Sequence, residues 1–327
     1  MSRYYYHTIL FGLLAIFSCQ AQEQKPQIVE STDQFEFYIN KWLNQHHFLF
    51  QSAKALAKDS AKSIASFPDW QQLNTQEQKI TREAMEYYQA NWIDKSLLFN
   101  GGLFEIKGMI SYWSNDLSSV HSDAHPALVH HWKAFSPIYD KYFWPAQLAQ
   151  NKKILGANIS RIRAFEEEAS MQLSKLSQTP WSKEKIRVDV TYLADWAGAY
   201  TSVDPTHIVI STHEEGPEGD WVETVFHEAS HQLISGRRGV VSNVIKEIAA
   251  KEELEIPRQL WHGVLFYFAG SVIKDLLAVE GVKYELFMMR EDVFQPYHKA
   301  LISSMDPYLA GKISLEEALR RLLISLQ

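Results

Sequence analysis

No part of this sequence restricts the fold as tightly as the run Thr224-Val225-Phe226-His227-Glu228-Ala229-Ser230-His231-Gln232-Leu233-Ile234. Two histidines four positions apart share a face only on an α-helix, where one lies directly above the other. There they can hold one metal ion between their imidazoles. Glu228, one position round, can reach a water on that ion and take its proton. The flanking residues agree with a helix. Asp220 reads as an N-cap, and Glu223 falls three residues later, as in a capping box. Val222, Val225, Phe226, Ala229, Leu233 and Ile234 supply an apolar face at helical spacing, and Gly236, followed by Arg237 and Arg238, reads as the stop. Upstream, Thr206 to Ser211 follows Pro205 and is rich in β-branched residues, which predicts a short strand. A loop containing Gly216, Pro217 and Gly219 joins strand to helix.

A strand, a loop and an H-E-x-x-H helix in that order resemble the zinc metallopeptidases of the zincin type. The resemblance covers the motif helix and the strand before it, a small part of the chain. It implies Zn2+ as cofactor, His227 and His231 as ligands, Glu228 as general base, and a peptide or protein as substrate. Sequential short strands with short connections favour a small, largely antiparallel sheet ahead of the motif helix. By the resemblance, the edge strand of that sheet would border the cleft and pair with an extended peptide, a role that falls on His207–Ser211. The metzincin continuation H-E-x-x-H-x-x-G-x-x-H is absent, because Ile234 and Arg237 stand where its Gly and third His would be. That subgroup is excluded, and no other is identified.

A catalytic zinc takes three protein ligands and leaves one position for water. His262 is the leading third ligand. It is a polar residue on a strongly apolar helical stretch and must be satisfied there, and its small neighbour Gly263 allows close helix approach. The bland alternative is a buried histidine bonded to a carboxylate or carbonyl. Glu247, on the helix that follows the motif, is the rival ligand, and Glu252, Glu253, Asp275 and Glu280 are further acidic candidates. The resemblance also calls for a donor to the oxyanion, with Tyr267, Tyr200 and His298 as candidates. It calls for a carboxylate that orients a ligand histidine, for which Glu223 is available beside its capping role.

The 327 residues suffice for one large domain or two lobes on a shared core, and a composition of 46% apolar and 22% charged residues is that of a folded protein. The fold class read from the pattern is α+β, mostly α. A helical lobe is expected over 34–180, with helices at 34–66, 75–93 and 158–176, and the catalytic region over 181–327. Glu166, Glu167 and Glu168 read as a solvated face, and the aromatic stretch 136–145 as core. His121, Asp123 and His125 alternate, which fits a polar loop or, in extended backbone, a second metal site. In the catalytic region, strands are expected at 185–192, 197–201 and 207–211. Helices follow at 243–254, 257–276, 287–302 (interrupted at Pro296) and 315–326, the last opening on a Ser314/Glu317 capping box.

A net charge of −7 argues against nucleic acid or an anionic membrane as partner. Arg3 followed by the apolar run Ile9–Phe17 reads as an export signal over 1–18. Ile16-Phe17-Ser18-Cys19 resembles a bacterial lipobox, with cleavage after Ala21 as the alternative. Cys19 is the one cysteine, which excludes a disulfide within the chain. It would carry a lipid anchor, followed by a polar tether over 19–33. The expected location is therefore periplasmic or cell-surface, with membrane contact only through the anchor, and no other stretch reads as membrane-spanning. Two functions follow. One is zinc-dependent hydrolysis of peptide bonds, with other amides as a variant. The other is a non-catalytic exported binding lipoprotein on the same fold, capturing a peptide, glycan or protein partner.

Overall fold

The computed structural model describes residues 26–58, 64, 67–195, 197–236 and 238–327. The export signal, Cys19 and Arg237 lie outside the described residues.

Alternation of apolar and polar residues builds the strands. The three expected before the motif are present as β3 (Ile186–Thr191), β4 (Ala199–Ser202) and β5 (His207–Ser211). Two more come from the other end of the chain. Ile28–Ser31, expected within the tether, is strand β1, and Phe35–Tyr38, expected to open a helix, is strand β2. The period-two burial of Phe35 and Phe37 decided the second case. Both rings are fully buried; Phe35 meets Phe226 edge-on at 5.6 Å, and Phe37 stacks near Trp221 at 6.4 Å. Each such side chain contributes about 1.5–3 kcal/mol on burial.

The five strands run in the order β1-β2-β3-β5-β4. β2, β3 and β5 are parallel, whereas β1 and β4 run antiparallel along the two edges. The sheet is therefore mixed and not largely antiparallel as expected, because β2 enters beside β3 in parallel, and His207–Ser211 lies inside it and not at the expected edge. The edge beside the motif helix is β4.

Helices cover both faces. One face carries α1 (Lys41–Lys58), α2 (Thr75–Asn91), α3 (Gly101–Ser111) and α4 (Pro126–Tyr142). Their core holds the expected aromatic stretch, with Phe135, Tyr139 and Phe143 packed on Phe48, and it reaches the sheet at Tyr200 and Val209. The other face carries α5 (Trp144–Ser177) and α6 (Asp220–Ser230). It also carries α7 (Val240–Glu252), α8 (Leu260–Val279), α9 (Phe287–Arg290), α10 (His298–Leu309) and α11 (Leu315–Ser325). The fold is α+β and mostly α.

Three local expectations change for reasons of pairing. Glu166 is buried, not solvated: its two oxygens accept from the backbone N–H groups of Asp33 and Gln34 at 3.0 and 2.9 Å, pinning the β1–β2 turn to α5. The N-cap of α6 is Gly219 at φ 101°, while Asp220 accepts from Tyr284 and Arg290. Ser314 does cap α11, but the Glu317 carboxylate accepts from Arg321 and not from the cap. Finally, α8 is long and apolar enough to cross a membrane by length and composition. Most of its apolar side chains are instead buried in the core shared with α5, α6 and α11.

Candidate metal centre

Helices α6 and α8 meet face to face, and their contact brings three imidazoles together. His227 sits in the last turn of α6. That helix ends at Ser230, earlier than Gly236, where the Ser230 hydroxyl bonds back to Phe226 O at 2.6 Å. His231 keeps helical angles (φ −59°, ψ −22°), so its ring still stacks over the same face as His227. His262 enters from the first turn of α8. The ring centroids form a nearly equilateral triangle, 5.2 Å for His227–His231, 5.2 Å for His227–His262 and 5.0 Å for His231–His262.

One ligand nitrogen from each ring lies within 4.8 Å of the others. His227 Nε2 and His262 Nε2 are 3.2 Å apart. A tetrahedral zinc with Zn–N bonds of about 2.0–2.1 Å would separate two ligand nitrogens by about 3.3 Å. That edge of the triangle therefore has the length a shared cation requires. The electrostatics suit the same ligand form. Burial holds His227 well below the usual imidazole pKa, His231 down to about 4 and His262 down to about 3, so all three are neutral with a free lone pair near neutral pH.

Glu228 lies beside the trio and faces the sheet edge. Thr201 Oγ1, on β4, donates to its Oε2 at 2.6 Å, and that oxygen is 3.9 Å from His231 Nε2. Burial pushes its carboxyl up to about 7, helped by the charge of Asp195 and opposed by Thr201 and Lys107. Lys107 is itself buried under β4 and β5, donating to His207 O at 2.9 Å and lying 4.9 Å from the Tyr200 ring centroid. Burial lowers its pKa to about 7.

Half-buried aromatic rings frame the imidazoles. Phe266 stacks on His227 at 3.7 Å, Trp261 lies parallel to His262 at 4.9 Å, and Phe294 meets His262 at 5.5 Å. Phe294 holds φ 55°, a left-handed conformation rare for an aromatic residue.

The other predicted residues sit elsewhere. Glu247 is exposed on α7, Glu252 pairs with Arg320 and Glu280 with Arg161. Glu253 ends α7, and Asp275 lines a cavity of about 370 Å³ with Tyr267, Lys274 and Asp306. Each expected oxyanion donor is engaged away from the trio. Tyr267 donates to Asp306, Tyr200 donates to His47 Nε2 at 2.9 Å beneath the sheet, and His298 Nε2 donates to Val293 O at 2.9 Å. His121, Asp123 and His125 occupy the loop before α4. Among the described residues, the one three-residue group with metal-ligating geometry is His227, His231 and His262.

Thr201, Lys107 and the aromatic frame were not legible as site residues. Thr201 carried no sequence signal, because both the edge position of its strand and the burial of Glu228 come from the packing. No family model, curated protein or solved structure matches this chain.

Proposed function

We propose that this protein is a zinc-dependent metallopeptidase, with His227, His231 and His262 as ligands and Glu228 as general base. The observation that carries the reading is the convergence of three imidazoles beside a buried carboxylate that faces the sheet edge. Zinc in such a site acidifies water and polarises a carbonyl oxygen. Thr201 fixes one oxygen of Glu228 and leaves the other for a water, whose proton the carboxylate takes and then passes to the leaving amine. Edge strand β4 offers backbone groups on its unpaired side to an extended peptide, the part that the resemblance gave to β5.

The test is Glu228→Gln in the full chain, with zinc content and peptide hydrolysis measured together. The variant is expected to retain wild-type zinc and lose turnover by about 10²–10⁴-fold. Equal turnover in both proteins, or a wild type without stoichiometric zinc, would reject the assignment.

A further inference from the structure

Two buried polar atoms on α6 have no hydrogen-bond partner: Glu223 Oε1 and His227 Nδ1. They belong to residues four apart on one helix, which therefore lie one above the other on the same face. Helix α8 receives them in matching register. Phe266 stacks on the His227 ring at 3.7 Å, and Gly270, one turn further, stands opposite Glu223. A Cβ at Gly270 would meet Leu286 Cγ at 2.6 Å and Glu223 Oε1 at 3.0 Å, so the glycine leaves room for both side chains.

The two orphans are complementary. His227 turns Nε2 toward His262, so a neutral His227 that ligates through Nε2 carries its proton on Nδ1. That Nδ1–H is a buried donor lacking an acceptor. Glu223 Oε1 is a buried acceptor lacking a donor. The other oxygen of Glu223 already accepts from the backbone N–H of Phe287 at 3.1 Å, which ties the carboxylate to the start of α9 and limits where it can swing. The Tyr284 hydroxyl also neighbours Glu223, but it donates to Asp220 Oδ1 at 2.9 Å, and Asp220 accepts from Arg290 as well.

We propose that Glu223 is a positioning residue of the metal centre: its Oε1 accepts the Nδ1–H of His227, fixing the tautomer and the direction in which that ring presents Nε2. Gly270 makes room for it and for Leu286. This rests on the metal-centre reading and adds to it a second carboxylate with a role separate from that of Glu228. Glu223 touches neither substrate nor cation; it acts through His227.

The test measures zinc affinity of the full chain at neutral pH, by competition with a chromophoric chelator, for wild type, Glu223→Gln and Glu223→Leu. Losing such a partner weakens metal binding by about 10–100-fold. Glu223→Leu is expected to show a loss of that size, and Glu223→Gln, which keeps an acceptor oxygen, a smaller one. Imidazole ¹⁵N spectra of the zinc-loaded wild type supply a readout that needs no variant, and should show the His227 proton on Nδ1 and protected from exchange. A purely structural Glu223 would lower the unfolding midpoint and leave the zinc affinity of the folded variants unchanged, which overturns the proposal. So does a proton found on Nε2. If the leucine variant does not fold, the glutamine variant and the spectra decide. A wild type that binds no zinc overturns the metal-centre reading itself, an outcome distinct from zinc-binding variants that match the wild type.

Discussion

His262 shows how one side chain can be read from its surroundings. A lone imidazole on a helix made of Leu260, Trp261, Val264, Leu265 and Phe268 needs a polar partner, and the structure gives it two other imidazoles. The rival Glu247, the second choice by position, is exposed on α7. His262→Ala should therefore weaken zinc binding beyond the roughly 10–100-fold expected for an outer partner, while Glu247→Ala leaves it unchanged. Chelator competition on the two variants distinguishes them, and the reverse order would move the third ligand to α7. Asp220 and Glu223 illustrate the opposite case. Their spacing matched a capping box, yet Arg290, Tyr284 and Phe287, more than sixty residues downstream, took both carboxylates. A local signal was outcompeted by charged and buried partners that no local pattern displays.

At the scale of elements, the β1–β2 hairpin is where periodicity misled. Phe35, Tyr38, Ile39, Trp42 and Leu43 repeat at three and four, but the repeat straddles a strand and the first turn of α1. Parallel pairing of β2 with β3 joins residues about 150 positions apart, a contact that sequence periodicity cannot encode. Glu166 holds the hairpin turn through two backbone N–H groups. Glu166→Gln turns one acceptor into a donor facing a donor, and should cost about 1.5–3 kcal/mol, the range for hydrogen bonds to a charged group. Glu167→Gln, one position on and exposed, should stay within about 0.5 kcal/mol of wild type. Urea unfolding of both variants measures the difference, and equal midpoints would remove Glu166 from the account.

At the scale of the whole molecule, buried titratable groups on both faces of the sheet give stability a direction with pH. Burial holds His46 well below its usual pKa of 6.5, and His47 and His207 down to about 4. The unfolded chain takes up protons on these rings as pH falls below about 6.5, and the folded one does not until about 4. Their contribution is complete above 6.5 and shrinks on acidification. Asp195, Glu223 and Glu228, each pushed up to about 7 by burial, act in the opposite sense, because the folded state keeps protons that the unfolded chain releases as pH rises toward 7. With His227, His231 and His262 also held low, the imidazoles outnumber the carboxyls. The urea midpoint of the metal-free chain should climb from about pH 4.5 to about pH 6.5, and a midpoint that falls across that window would contradict the burial of these rings in the neutral form.

The sequence by itself determined the mixed class of the fold, the strands β3 and β5, the helical setting of the motif and the spacing that stacks His227 over His231. All of these are set by neighbours within a turn or a few alternations of the chain, where backbone geometry dictates which side chains share a face. Tertiary structure alone decided that β4 and not β5 forms the open edge and that Thr201 restrains Glu228. It also decided that two strands from before position 40 complete the sheet, and that His262 reaches the motif across the α6–α8 contact. These depend on which distant surfaces bury one another, and that is fixed by the packing of whole layers.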